Sequence, residues 1–468
     1  MARLKQLLST LVLDLWSHRR GGPQDDAVER NVRVNIYHGM VAIMALNLAA
    51  PFIGIFAVKS GASDLQVGLL SSCPAFVSLI SMIPGGRFMD RQVRKKEMLT
   101  RFILLHRVSY LLIGTIPFFS PDRRAWLLVF AVAVMNAPAS IANIGWQAFI
   151  SKVIPMSRRA DAFAARNRLM NLAGTIIVLI TGRIIDIVGF PVGYQLVFAC
   201  AFFMSLAEVW VLRRVDEPGE NDATTEGLDA RDTADDAAGK LRRPISRAEI
   251  ASTVRASRGF TSLSAAVRDI VRHGRFVRYT LASIVFYLCW QTPWPLFTLY
   301  QVKVLGANNM WVSLLNLTNT GGALIGYGFW ARRCNQYGNL KTLFLSSLGI
   351  FIVPLAYAVS KSLLAVAVLN LLAGAIFSGA NLALFNQLLD VTPDENKATY
   401  IAYYTTAVNG AAVLAPMLGV SLLSLLGFFW AFLTCAGVRL GGSFVFLLVD
   451  RLEKRVAVRR SAGTSVVA

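Results

Sequence analysis

Acidic residues are scarce in this chain. Of its 468 residues, 27 are Asp or Glu and 47 are Lys or Arg, and charged residues make up only 16% of the whole. Soluble globular chains carry about 25% charged residues, so a soluble fold of this length is excluded. Close cysteine pairs are also missing. Cys73, Cys200, Cys289, Cys334 and Cys435 are spread along the chain, which excludes a disulfide framework and a cysteine-based zinc site. The aqueous segments hold no nucleophile–base arrangement, no phosphate-cradling loop and no metal-ligand cluster. Neither an enzyme nor a cofactor or bound metal is expected. The net charge of +20 suggests nucleic acid at first sight. However, the basic residues fall in alternate loops, and no basic helix interleaves aromatics for base stacking, so no nucleic-acid partner is expected.

What is present is apolar sequence, 55% of all residues, in runs of membrane-spanning length. A β-barrel would show short alternating segments instead. Six spans are predicted near 34–58, 65–84, 99–119, 124–149, 163–187 and 190–213. Six more are predicted near 276–300, 308–330, 341–360, 362–388, 398–424 and 427–449. Lys152, Arg158 and Arg159 mark one inner loop, and Arg332, Arg333, Lys341 and Lys397 mark others. Basic loops face the cytoplasm, which places both termini inside, in the cell membrane.

The most specific stretch is Pro84–Leu99. It holds Gly86, then Asp90-Arg91, then Arg94-Lys95-Lys96, between two apolar runs. Gly328-Phe329-Trp330-Ala331-Arg332-Arg333 echoes it half a chain later, with Arg332 where Asp90 stood. A further echo pairs Asn143, Gln147, Pro155 and Arg159 with Asn381, Gln387, Pro393 and Lys397. A half-length repeat of this kind marks two related halves. The stretch resembles the loop between helices 2 and 3 of major facilitator superfamily transporters. It departs from that pattern in carrying Val93 where the family has a second glycine. The resemblance implies an all-α membrane protein of twelve transmembrane helices in two pseudo-symmetric six-helix bundles. It implies a gating role for Gly86, Asp90, Arg91, Arg94, Arg332 and Arg333. It further implies that Asp90 latches the cytoplasmic side closed against the start of span 11.

The domain organisation follows. Residues 1–30 read as an amphipathic segment on the cytoplasmic surface, and 31–213 as the first bundle. Residues 214–275 form a central cytoplasmic loop: an acidic part with little apolar surface, then a basic lateral helix carrying Phe260, Leu263, Val267 and Ile270. Residues 276–450 form the second bundle and 451–468 a cytoplasmic tail.

An ionisable group inside a membrane is a functional candidate by default. Only Asp186 and Glu208 are acidic within the spans. Both are read as lying near span ends, within reach of water. Asp186 is also placed to pair with Arg183, three residues away. Arg166 is read as starting span 5 at the headgroups, and Arg439 as lacking an obvious partner. That leaves His38 and His106 as possible proton carriers, and weak or no obligatory coupling through carboxylates. Neutral hydrogen-bonding groups and aromatics then form the candidate solute-binding set: Asn47, Asn136, Trp290, Gln291, Trp294, Asn319, Asn381, Tyr403 and Asn409. The expectation is a monomeric secondary transporter in the lipid bilayer, working by alternating access on a small neutral or amphiphilic solute. Multidrug-type efflux is preferred over uptake of a polar nutrient and over a non-transporting membrane sensor.

Overall fold

A computed structural model describes residues 23–90, 92, 95–153, 156–215, 271, 273–393 and 397–464. The amphipathic segment over 1–22, the acidic and basic parts of 216–270, and the residues Arg91, Val93 and Arg94 lie outside the described residues. So do the side chains of Arg87 and Asp90. Among the described residues all regular structure is helical. In hydrocarbon each backbone N–H and C=O must be satisfied within the chain, and the helix does this locally.

Two compact units divide the chain. One contains residues 1–218 with 306–314, the other 219–305 with 315–468. Unit 1 holds six helices: α1 (Pro23–Asn47), α2 (Asp64–Asp90), α3 (Lys95–Thr115), α4 (Pro121–Val153), α5 (Met156–Val188) and α6 (Val192–Arg213). A short helix, Ile53–Lys59, completes the first span beyond α1. Packing runs α2 on α4, α3 on α4 and α6, and α1 on α5 and α6. The start of α2 is a reciprocal cap: Ser63 N–H donates to Gln66 Oε1 at 2.8 Å, and Gln66 N–H to Ser63 Oγ at 3.3 Å.

In unit 2, α7 (Gly274–Gln291) breaks at Thr292-Pro293 and resumes as Trp294–Leu299 and a wide turn, Tyr300–Val304. Then come α8 (Asn309–Tyr337), α9 (Asn339–Gly349, continued by Ile352–Val359) and α10 (Leu363–Val391). The last stretch, Lys397–Thr464, bends at Gly427, whose φ of 71° is a left-handed conformation that suits glycine. It gives α11 (397–426) and α12 (428–464). Helices α7, α9 and the Ile352–Val359 segment all pack on this last stretch, and α9 packs on α10.

Nine described helices are long and apolar enough to cross a membrane. The last of them is the double helix bent at Gly427, and the α7 and α8 segments bring the spans to the expected twelve. Large apolar side chains lie exposed along their outer faces, among them Phe130 at 68%, Ile325 at 72% and Leu425 at 79%. Such exposure fits lipid as the surrounding solvent.

Close helix approach in unit 2 rests on small residues. A Cβ placed on Gly322 would lie 1.8 Å from the carbonyl oxygen of Leu371, and one on Gly374 would lie 1.9 Å from that of Asn319. Gly322 and Gly326 form a G-x-x-x-G pair on α8, the pattern that lets membrane helices meet backbone to backbone.

The boundary between units falls within α8, and its first turn belongs to unit 1. There Asp186 caps the helix. Asn309 N–H and Nδ2 donate to Oδ1 at 3.1 and 2.8 Å, and Met310 N–H donates to Oδ2 at 2.8 Å. The Tyr194 hydroxyl donates to Asn309 Oδ1 at 2.6 Å. Asp186 thus spends both oxygens on a helix N-terminus, where negative charge is favoured, rather than serving mainly as a partner for Arg183.

Candidate solute cavity in unit 1

Two charged residues near span ends in unit 1, Arg166 and Glu208, turn toward the interior. Helix α5 begins at Met156, but its membrane-length apolar stretch runs Ala165–Val188, so Arg166 stands at the start of the span as expected. Helix α6 carries Glu208 in its last two turns, yet that residue is only 3% exposed, because α1 and α3 cover it. Glu208 thus departs from the expectation that water reaches it. Position along a helix gives depth, while burial depends on which neighbours cover that face.

Glu208 is held by Arg107 of α3. Arg107 Nε and Nη2 donate to Oε2 at 3.2 and 3.0 Å, and Nη1 donates to the Tyr110 hydroxyl at 3.1 Å. The two side chains are 7% and 4% exposed. His38 of α1 adds a third group, its Nε2 3.8 Å from Glu208 Oε1. The expectation that acids in the spans meet water therefore loses its premise at Glu208.

Beside this cluster lies a cavity of about 350 Å³, walled by five helices. Helix α1 gives His38 and Leu46, and α3 gives Ile103, His106 and Arg107. Helix α4 gives Ala139, Ala142, Asn143 and Trp146. Helix α5 gives Arg166 and Met170, and α6 gives Glu208. The Arg166 guanidinium lies 4.3 Å from the Trp146 ring centroid, a cation–π contact. Arg166 reaches this place by crossing Gly39, where a Cβ would sit 2.5 Å from its Nε.

The structure brings together His38 and His106 from the sequence-derived set, and places the neutral amides elsewhere. Asn47 Nδ2 donates to the Gly174 carbonyl at 3.1 Å, tying α1 to α5. Asn136 Nδ2 donates to Val132 of its own helix at 2.7 Å. In unit 2, Asn319 Nδ2 donates to the Asn370 carbonyl at 3.4 Å. Trp290 and Gln291 are buried, Trp294 and Asn381 are exposed, and Tyr403 and Asn409 are half-buried. Gly86 is half-buried. Arg332 and Arg333 line an open groove at the end of α8, with Phe329 and Gln336.

Arg439 of α12 is 2% exposed, and its two terminal nitrogens donate to the carbonyls of Trp290 and Ile350. Both carbonyls lie at helix breaks, and that of Ile350 also accepts from Val353 N–H at 3.3 Å. Trp290 lies in the last turn of α7, and Ile350 lies four residues before Pro354, which has no N–H to give it. Its partners are backbone groups, invisible to a search for opposite charges.

Sequence reasoning missed Asn143, Trp146, Arg166, Met170, Arg107 and Glu208 as members of one wall. The signal available was a polar residue on α1, α3, α4, α5 and α6 at comparable depth, but only packing shows that these faces converge.

A family model described as Major Facilitator Superfamily matches residues 39–318 and again 279–467. No curated protein matches. Among solved structures, the nucleoside transporter NupG superposes with a TM-score of 0.61 at 10% identity, over 90% of this chain and 99% of that one. The inward-open xylose transporter XylE from E. coli gives 0.61 at 12% identity, over 89% and 95%. A POT family transporter in complex with 5-aminolevulinic acid gives 0.63 at 11% identity, over 90% and 96%. At these identities the likeness is one of fold.

Proposed function

The chain belongs to the Major Facilitator Superfamily, and on that premise we propose that it carries a small organic solute across the cell membrane by alternating access, with the unit 1 cavity as part of the solute's site. The observation that supports this is the convergence of five helices on one 350 Å³ space lined by polar and aromatic side chains. Pockets for small molecules combine an apolar wall with a few converging polar groups. Here Leu46, Ile103, Trp146 and Met170 supply the wall, and His38, His106, Asn143 and Arg166 supply the polar groups. Proteins of this fold include carriers named for nucleosides and xylose and one holding 5-aminolevulinic acid, all small polar organic molecules.

The sequence favours a neutral or amphiphilic solute, because spans 1, 4, 7 and 10 carry no carboxylate in their interiors. The Arg107–Glu208–Arg166 cluster, on α3, α5 and α6, supports the amphiphilic alternative. The basic loops support cytoplasmic termini. The monomer and the direction of transport stay as read from the sequence, with export preferred.

Solute counterflow in proteoliposomes tests the proposal. Labelled benzoate, xylose, uridine and 5-aminolevulinate are exchanged against the same unlabelled solute, in wild type and in Trp146→Ala. Exchange of at least one solute, reduced in the variant, is expected. No exchange of any of them would favour a non-transporting sensor of the same fold.

A further inference from the structure

The wall of the unit 1 cavity holds more positive than negative charge. Arg107 and Arg166 line it, against the single carboxylate of Glu208. Arg107 is fully engaged, two nitrogens on Glu208 and the third on the Tyr110 hydroxyl. Arg166 is not. Its guanidinium rests on the Trp146 ring, and its Nε has no hydrogen-bond partner.

His38 stands on the same wall. It is 4% exposed, and neither ring nitrogen has a hydrogen-bond partner. Its nearest acidic atom, Glu208 Oε1, is 3.8 Å from Nε2, beyond hydrogen-bond reach. Even a neutral imidazole carries one N–H. A buried donor without an acceptor is costly, and a guanidinium without a counter-charge more so. Two donors from α1 and α5 thus face one space with no acceptor in hydrogen-bond reach among the described residues.

We propose that Arg166 and His38 form a subsite for an oxyanion, the carboxylate or phosphate-type group of an amphiphilic solute. This rests on the reading of the cavity as part of the solute's site. The anion balances the surplus guanidinium and accepts the N–H that His38 offers. The Trp146 ring, Met170 and Leu46 cover the solute's apolar part. Glu208 opposes a second negative charge at the same place, so the subsite selects monoanions. Arg107 acts as a positioning residue: its two bonds hold Glu208 Oε2, while Arg166 makes no hydrogen bond to that carboxylate. A lipid phosphate offers the same chemistry as a soluble solute, and the experiment separates the two.

Benzoate, benzamide and benzamidine share a shape and differ in charge, from negative through neutral to positive. Their binding to the full chain, in nanodiscs with and without phosphatidylglycerol, is followed by thermal shift, with inorganic phosphate as a fourth probe. Benzoate is expected to stabilise saturably, with an apparent Kd about tenfold below that of benzamide, and benzamidine not at all. Arg166→Gln should weaken benzoate about tenfold, Arg166→Lys less, and His38→Gln by an intermediate factor. The charge ranking in wild type stands whether or not a variant folds. Equal shifts from benzoate and benzamide, or no shift from either benzoate or phosphate, would overturn the subsite. If phosphatidylglycerol stabilises through Arg166 and abolishes the benzoate shift, the occupant is a headgroup and the solute role is overturned. Counterflow separates this proposal from the one beneath it. Benzoate binding without exchange leaves the subsite standing and removes transport. Benzamide exchange that ignores Arg166 does the reverse.

Discussion

Arg107 and Glu208 meet on two bonds inside unit 1, with both Nε and Nη2 of the arginine directed at Oε2 of the acid. The pair joins α3 to α6 at a depth where neither side chain is more than 7% exposed. It faces the cavity through which the solute is proposed to pass.

Breaking such a pair from one side leaves the other charge buried and alone, a loss of about 3–5 kcal/mol, whereas replacing both partners by apolar groups is often neutral. Arg107→Met and Glu208→Leu should each lower stability by an amount in that range. The double variant should recover most of the loss. A denaturant or thermal double-mutant cycle in detergent measures the coupling. Additive losses would show that the two side chains stabilise the unit independently.

Gly39 sets the path of Arg166. A methyl there would lie 2.5 Å from Arg166 Nε and 2.9 Å from Met170 Sδ. Both neighbours are side chains, so the fold should tolerate Gly39→Ala while the guanidinium shifts off Trp146. The expected result is a Tm change of only a few degrees, with benzoate affinity reduced about tenfold. Unchanged affinity would mean that Arg166 has room to bind from another rotamer.

Arg439 joins two helix breaks, at Trp290 and Ile350, to α12. Lysine keeps the charge but presents a single ammonium and lacks the planar fork that reaches two carbonyls on different spans. Arg439→Lys should therefore lose about 2 kcal/mol of stability, and Arg439→Met at least as much. A Pro354→Ala change in the Arg439→Met background supplies the i+4 N–H that proline cannot, beside the Val353 N–H that the Ile350 carbonyl already accepts, and should return part of the loss. Thermal unfolding of the three variants decides it.

On α8, Gly322 and Gly328 form a natural pair for comparison. A Cβ on Gly322 would overlap the Leu371 carbonyl at 1.8 Å, while a Cβ on Gly328 would meet nothing within 4 Å. Gly322→Ala should sharply reduce the yield of folded protein by size-exclusion profile, and Gly328→Ala should leave it near normal. Equal yields would show that α8 and α10 separate at little cost.

The class of this protein was written in its composition. Long apolar runs in a chain only 16% charged leave a helical membrane protein, because hydrocarbon satisfies no backbone group and the helix must do so itself. The basic loops and the half-length echo around Gly86 and Gly328 carried the family, since both are local patterns along the chain. The cavity was not legible in that way. His38, Arg107, Trp146, Arg166 and Glu208 lie on five different helices, and their meeting depends on the rotation of each helix about its axis, which packing sets and the order of residues does not print. The same holds for burial. By sequence, Glu208 sits within two turns of a helix end and Arg166 at the edge of a span, both positions where water is expected. Neighbouring helices cover Glu208 and turn Arg166 onto the cavity wall, and so tertiary structure alone brought two guanidinium groups and one carboxylate to a single cavity.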